Sequence, residues 1–167
     1  NYIGYDDFRQ NMGDVTVKGY SASVGYKGKT SGVSLGVAES RPRLNDVPLV
    51  DGDSLLLGNA TGRTWVLQLD QQFPSMNFSM GWTTRLVEEL THVPPGNATK
   101  AGYSVSDAYA QWLPFGRDDV TLTLTVKNIF DRMYYEQASF GYHPRWGQVA
   151  GLPEAGRDVR VSAAWRF

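Results

Sequence analysis

Residues 76–86 read MNFSMGWTTRL, and their parity decides the fold. Met76, Phe78, Met80, Trp82 and Leu86 fall on one parity, while Asn77, Ser79, Gly81, Thr83 and Arg85 fall on the other. A helix would scatter both sets around its circumference, whereas an extended strand sends alternate residues to opposite faces. The same period recurs on either side. Val120, Leu122, Leu124 and Val126 alternate with Thr121, Thr123, Thr125 and Lys127, and Trp65, Leu67, Leu69, Gln71 and Phe73 with Thr64, Val66, Gln68, Asp70 and Gln72. Val33, Leu35 and Val37 repeat it, as do Val159, Val161, Ala163, Trp165 and Phe167. Residues 15–27 and 103–113 add two strands with a less clean split. The expectation is an all-β chain of about seven strands.

Connection lengths separate the architectures that could hold such strands. Lys27-Gly28-Lys29, Phe73-Pro74-Ser75 and the stretch from Pro114 to Asp119 are short. Long segments at about 40–62, 88–102 and 134–156 lie between them. A β-sandwich places turn signals every 8–12 residues without such alternation, whereas an outer-membrane barrel has tight turns at one rim and long loops at the other. A one-sided sheet in a soluble sandwich-type binding module shares the residue alternation and stays open as the alternative. The polar parity of Gly, Ser, Thr, Gln, Asn, Asp and Arg suits a wet or filled lumen. Tyr20, Tyr26, Phe73, Trp82, Trp112, Phe115, Trp165 and Phe167 bound the apolar parity, as an interfacial girdle requires.

Composition agrees with either form. The 167 residues are 41% hydrophobic and 13% aromatic, too apolar for a disordered chain. There is no cysteine, which removes disulfide and thiolate chemistry. Sixteen Lys+Arg against 17 Asp+Glu give a net charge of −1, so no bulk attraction to nucleic acid is expected. Mean hydropathy is −0.35 and no apolar run reaches the length of a membrane helix, a test to which barrels are blind. The start at Asn1 carries no signal peptide and reads as a cut through a longer polypeptide.

Three segments carry a family resemblance. Residues 102–113 (GYSVSDAYAQWL), 126–135 (VKNIFDRMYY) and 156–167 (GRDVRVSAAWRF) resemble the last three strands of TonB-dependent outer-membrane receptors. DAYAQWLP, LTLTVKNIF and GLPEAGRDVR look most like the haem and haemoglobin branch. The resemblance implies the last seven strands of a 22-stranded barrel, with residues 1–167 its C-terminal part and the N-terminal plug and earlier strands absent. It further implies a bacterial outer-membrane transport part rather than an enzyme, with no intrinsic cofactor and with haem or a ferric siderophore as cargo. The implied partners are the TonB complex through the missing part, the lipid bilayer, the barrel-assembly machinery and, in the haem branch, a haemophore or haemoglobin. Phe167, with Trp165, resembles the signal that assembly machinery reads. Seven strands alone would leave open edges on Val15 to Lys27 and Gly156 to Phe167, so the chain is expected to be part of a larger barrel.

Candidate site residues are few. His92 and His143 fall in expected outer loops, and a neutral imidazole can ligate haem iron. Tyr142, Arg145 and Trp146 beside His143 could stack on a porphyrin and pair with its propionates; a solvated loop histidine is the plain alternative for both. Asn128 and Asp131 are expected to bond backbone where the ladder turns into a loop, and Gly156 to permit the bend into the last strand. Asp51-Gly52-Asp53 and Asp6-Asp7 lack calcium-loop spacing. The Asn59, Asn77 and Asn97 triplets match a glycosylation pattern that a bacterial setting makes coincidental. No metal site, nucleophile elbow or catalytic carboxylate pair is readable, which leaves a small outer-membrane enzyme as a remote third reading.

Overall fold

A computed structural model describes residues 13–50, 60–116, 119–138, 141–143, 147–149 and 153–166, with only the backbone of 141–143 and 147–149. Residues 1, 6, 7, 51, 52, 53, 59, 145, 146 and 167, named above, lie outside the described residues. The chain forms β1 (Val15–Lys27), β2 (Ser31–Leu44), β3 (Val47–Pro48), β4 (Thr64–Phe73), β5 (Phe78–Val87), β6 (Tyr103–Trp112), β7 (Val120–Lys127), β8 (Gly141–His143), β9 (Gly147–Val149) and β10 (Asp158–Trp165). The seven long strands form one antiparallel sheet in the order β1-β2-β4-β5-β6-β7-β10; β3 adds to β2, and β8 and β9 make a separate hairpin. This is the all-β, antiparallel arrangement expected from the period. Two boundaries differ from it. Met76 leaves the strand, because Pro74–Met76 form a 3-10 turn that Asn77 closes at φ 50°. β2 runs on to Leu44 rather than stopping near 40, because every residue from Gly32 to Leu44 has a partner in β1. Asn45 and Asp46, both at positive φ, then turn the chain back into β3.

The ladders run without a slip, so directly paired residues share a face. One face carries Val24, Leu35, Leu67, Trp82, Ala108, Leu124 and Val161, apolar across the middle of the sheet, with Lys18, Glu39 and Arg41 on the same face toward the long-loop rim. Its short-turn end carries Tyr26, Phe73, Phe78, Trp112 and Trp165, an aromatic row along one rim. The other face carries Ser23, Gly36, Gln68, Thr83, Asp107, Thr125 and Arg160. In a sandwich the apolar face would pack against a second sheet about 10 Å away. Here Val161 is 77% and Val24 71% exposed, and no other described element covers them. The buried apolar cluster, Val50, Ala60 and Leu90 with Val93, sits instead among the long connections. These are the properties of a membrane wall.

The polar face interdigitates. A Cβ at Gly81 would lie 2.2 Å from Tyr109 Cε1, so the Tyr109 ring covers the bare glycine and donates its hydroxyl to Asp70, 3.1 Å away on β4. Ring over glycine pins the β4–β5–β6 register. Replacing Gly81 by Val displaces Tyr109 and breaks its bond to Asp70. In the intact receptor in detergent, a thermal melt followed by loss of β signal should shift down, by the equivalent of about 1–3 kcal/mol. Tyr109→Ala on the Gly81→Val background should then cost little more.

Candidate functional site

All short turns lie at one rim and all long connections at the other, so residues 45–63, 88–102 and 128–157 converge. Two side chains fasten them. Gln137, 1% exposed, accepts from the Gly62 N–H at 2.7 Å. Its amide donates to the carbonyls of Glu88, Lys100 and Ala101, at 2.9, 3.2 and 3.0 Å. Lys100, equally enclosed, donates from Nζ to the carbonyls of Val50 and Gln137, the latter at 2.6 Å. Each of the three long connections thus contributes backbone groups to one buried polar knot. Gly62 must be glycine here, since a Cβ would lie 1.9 Å from the Glu88 carbonyl oxygen.

A second cluster roots the 128–157 connection on the polar face. Arg85 of β5 pairs with Glu136, whose other carboxylate oxygen accepts from the Tyr103 hydroxyl of β6 at 2.5 Å. Tyr134 stacks on Tyr103 with centroids 4.6 Å apart, and the Arg85 guanidinium lies 5.3 Å over the Tyr103 ring. Burial pushes the Tyr134 phenol above its ordinary range against the opposing pull of Arg85, so it stays a neutral stacking group. Below, Asp107 accepts from the Asn128 N–H at 2.8 Å, and Asn128 in turn bonds the backbone of Arg132 in both directions. Asp131 accepts from the Arg157 N–H at 2.8 Å, and its carboxylate fills the space a Cβ at Gly156 would need. Asn128 and Asp131 therefore bond backbone at the loop mouth, both at positive φ, as the sequence indicates. A groove of about 550 Å³ follows this face, lined by Arg85, Lys127 and Arg160 together with Asp107, Glu136 and Asp158.

Tyr142 and His143 lie on β8, which pairs with β9 through Tyr142–Gln148 and His143–Gly147; Arg145 and Trp146 fall between the two strands. His92 is exposed on a different connection, in a small groove with Arg43, Arg63 and Glu89. Trp165 stands on the apolar face of β10, 76% exposed, at the short-turn rim. Gln137 and Lys100 were not singled out from sequence, since no spacing rule marks a lone glutamine or lysine that caps another loop's carbonyls. Among the described residues no group of three His, Asp or Glu could hold a metal ion.

A single two-faced sheet with tight turns at one rim and fastened long loops at the other is a wall of a transmembrane β-barrel, placed in the bacterial outer membrane. The resemblance to the barrel of TonB-dependent receptors holds along most of the chain. No family model matches. The chain is 29% identical over 125 residues to the "Heme transporter BhuA" of Brucella abortus (strain 2308), covering 70% of this chain and 19% of that protein. It is 23% identical over 122 residues to the "TonB-dependent heme receptor A" of Haemophilus influenzae (strain 86-028NP), covering 62% of this chain and 15% of that protein. In structure it matches the FrpB iron transporter of Neisseria meningitidis (F3-3 variant), with TM-score 0.74 and 27% identity over 94% of this chain and 24% of that one. The copper transporter OprC, at TM-score 0.70 and 18% identity, shares the fold. The chain thus spans about a fifth of the length of the curated relatives it matches.

Gln137→Ala would remove the amide partner of the Gly62 N–H and of the Glu88 and Ala101 carbonyls, while the Lys100 carbonyl keeps the Leu90 N–H, at about 1–3 kcal/mol for each orphaned group that water does not reach. Limited proteolysis of the intact receptor should then cut all three long connections faster, while the strands keep their melting temperature. Faster cutting of the 128–157 connection alone would refute the shared knot.

Proposed function

We propose that the chain is part of a receptor that takes an iron chelate from outside the outer membrane and imports it with energy delivered through TonB. The chelate in this reading is haem or a haem protein. The observation that carries it is the pair of haem-named relatives, matched on a sheet whose long connections are gathered at one rim. The residues are that receptor's C-terminal wall. The remaining strands pair with the edges of β1 and β10, which do not pair with each other, and the plug that meets TonB lies elsewhere in the receptor. Its work is binding and transport rather than catalysis.

Within this reading the β8–β9 hairpin offers His143 as an iron ligand, Tyr142 and Trp146 as stacking surfaces and Arg145 as a propionate partner. His92 is a further ligand on its own connection. Phe167, with Trp165, serves barrel assembly. A second reading, a ferric siderophore or other iron cargo, is favoured by the likeness to an iron transporter over 94% of the chain.

Haem titration of the intact receptor, followed by the Soret band, tests the assignment. His143→Ala should weaken haem binding about tenfold, roughly 1.4 kcal/mol. Unchanged affinity would remove His143 from the site. Failure of wild type to bind haem, with tight binding of a ferric siderophore, would select the second reading.

A further inference from the structure

We propose that Arg85 of β5 and Tyr103 of β6 form a carboxylate site on the luminal wall, filled here by Glu136, and that a carboxylate of the iron chelate takes the place of Glu136 as the cargo enters the lumen. It rests on the import reading and adds the chemical group that the wall recognises. Register sets the place. On the polar face Arg85 lies between Val66 of β4 and Val105 of β6, and Tyr103 pairs with Val87 one step nearer the long-loop rim. Glu136 comes from outside the wall, on the 128–157 connection, and both wall residues converge on it. Arg85 pairs with one carboxylate oxygen, and the Tyr103 hydroxyl donates to the other at 2.5 Å.

The receiving half of this pair belongs to the wall and the filling half does not. The Arg85 guanidinium lies 5.3 Å over the Tyr103 ring, a contact that orients it with or without Glu136. Val66 and Val105 flank the cation with apolar surface, where an unpaired charge is costly, so Arg85 requires an anion at all times. The other two cations of the groove have theirs within the wall. Arg160 pairs with Asp158 of its own strand at 2.5 Å, and Lys127 has Asp158 as its register partner across the β7–β10 ladder. Among the described residues, Arg85 is the groove cation whose ion-pair partner comes from a connection.

Access and charge agree with an exchange. The Arg85 side chain is 36% and that of Glu136 27% exposed, so the pair is open to the groove, whereas Gln137, the next residue, is buried in the knot. At about 550 Å³ the groove has the size of a small-molecule site. Replacing one carboxylate by another leaves the charge beside Arg85 unchanged, and a guanidinium with a phenol donor beside it selects the geometry of that group as well as its sign. Haem carries it in its propionates and a ferric hydroxycarboxylate carries it in its ligand; a chelate built of catechols does not. Glu136, tethered beside the site, competes with either.

The test is titration of the intact receptor in detergent, followed by the Soret band, with haem and with haem dimethyl ester, whose propionates are neutral. Wild type should bind the free acid about tenfold more tightly than the ester. Arg85→Gln should remove that preference by weakening the acid alone. Glu136→Gln, which withdraws the competing charge, should tighten the acid about fivefold and leave the ester unchanged. The opposite signs are decisive, since an ion pair that only braces the loop would lose binding alike in both variants. Tyr103→Phe keeps the stacked ring without its hydroxyl; it should reduce the preference about threefold and decides the matter if Arg85→Gln does not fold. Equal binding of acid and ester by wild type, or equal loss in the Arg85 and Glu136 variants, would overturn the proposal with haem still the cargo. If wild type binds no haem, the same variants are read by tryptophan quenching with ferric citrate against a ferric tris-catecholate. Preference for ferric citrate, with opposite signs in the two variants, supports the site and fails the haem reading alone. Binding of the tris-catecholate only, or of neither, overturns the site as well.

Discussion

Backbone N–H and C=O groups inside a bilayer have no water to turn to, so each must find a partner in the neighbouring strand. An uninterrupted ladder follows, and an uninterrupted ladder fixes which face every side chain takes. From Val15 to Trp165 the pairings of adjacent long strands hold one constant register per pair. A one-residue slip of β4 would send Leu67 into the lumen and Asp70 into lipid. Ring-over-glycine packing at Tyr109 and Gly81 therefore does more than fill space. It resists the one motion that would exchange the two faces.

Above the band that ladder ends, and the backbone needs other partners. Water serves the exposed loops. Where the three connections pack on one another, the Gln137 amide and the Lys100 ammonium stand in for a strand. Gln137 suits the task because one planar amide both donates and accepts, meeting Gly62 on one side and three carbonyls on the other. Lys100 supplies only donors, and it is given only carbonyl acceptors in the described bonds. The small apolar cluster of Val50, Ala60 and Leu90 excludes water beside it, which makes each of these bonds harder to replace.

The strands were legible because their signal is dense: Val120 to Lys127 alternates residue by residue, and the structure pairs each of them. Resemblance at 126–135 and 156–167 also located Asn128, Asp131 and Gly156 at the loop mouth, where local backbone bonding has a recognisable residue type. Met76 misled because a proline-initiated turn can carry an apolar residue on the strand's parity without continuing the strand. Gln137 and Lys100 were illegible for a different reason. Their partners are carbonyls of loops dozens of residues away, and a carbonyl has the same chemistry at every position of a sequence.

The two fastenings together explain how a long loop can hold a defined surface. Closing a loop costs entropy that grows only slowly with length, so the number of fixed points along it matters more than its span. The 128–157 connection is fixed at Asn128, at Tyr134 and Glu136 against β5 and β6, at Gln137 in the knot, and again at Arg157. The hydrogen bond from the Glu154 N–H to the Tyr134 carbonyl at 2.9 Å ties the returning end of the connection to its outgoing one. Tyr134 and Glu136 take their position from β5 and β6, and so the root of a long loop keeps a reproducible geometry although it belongs to no wall strand.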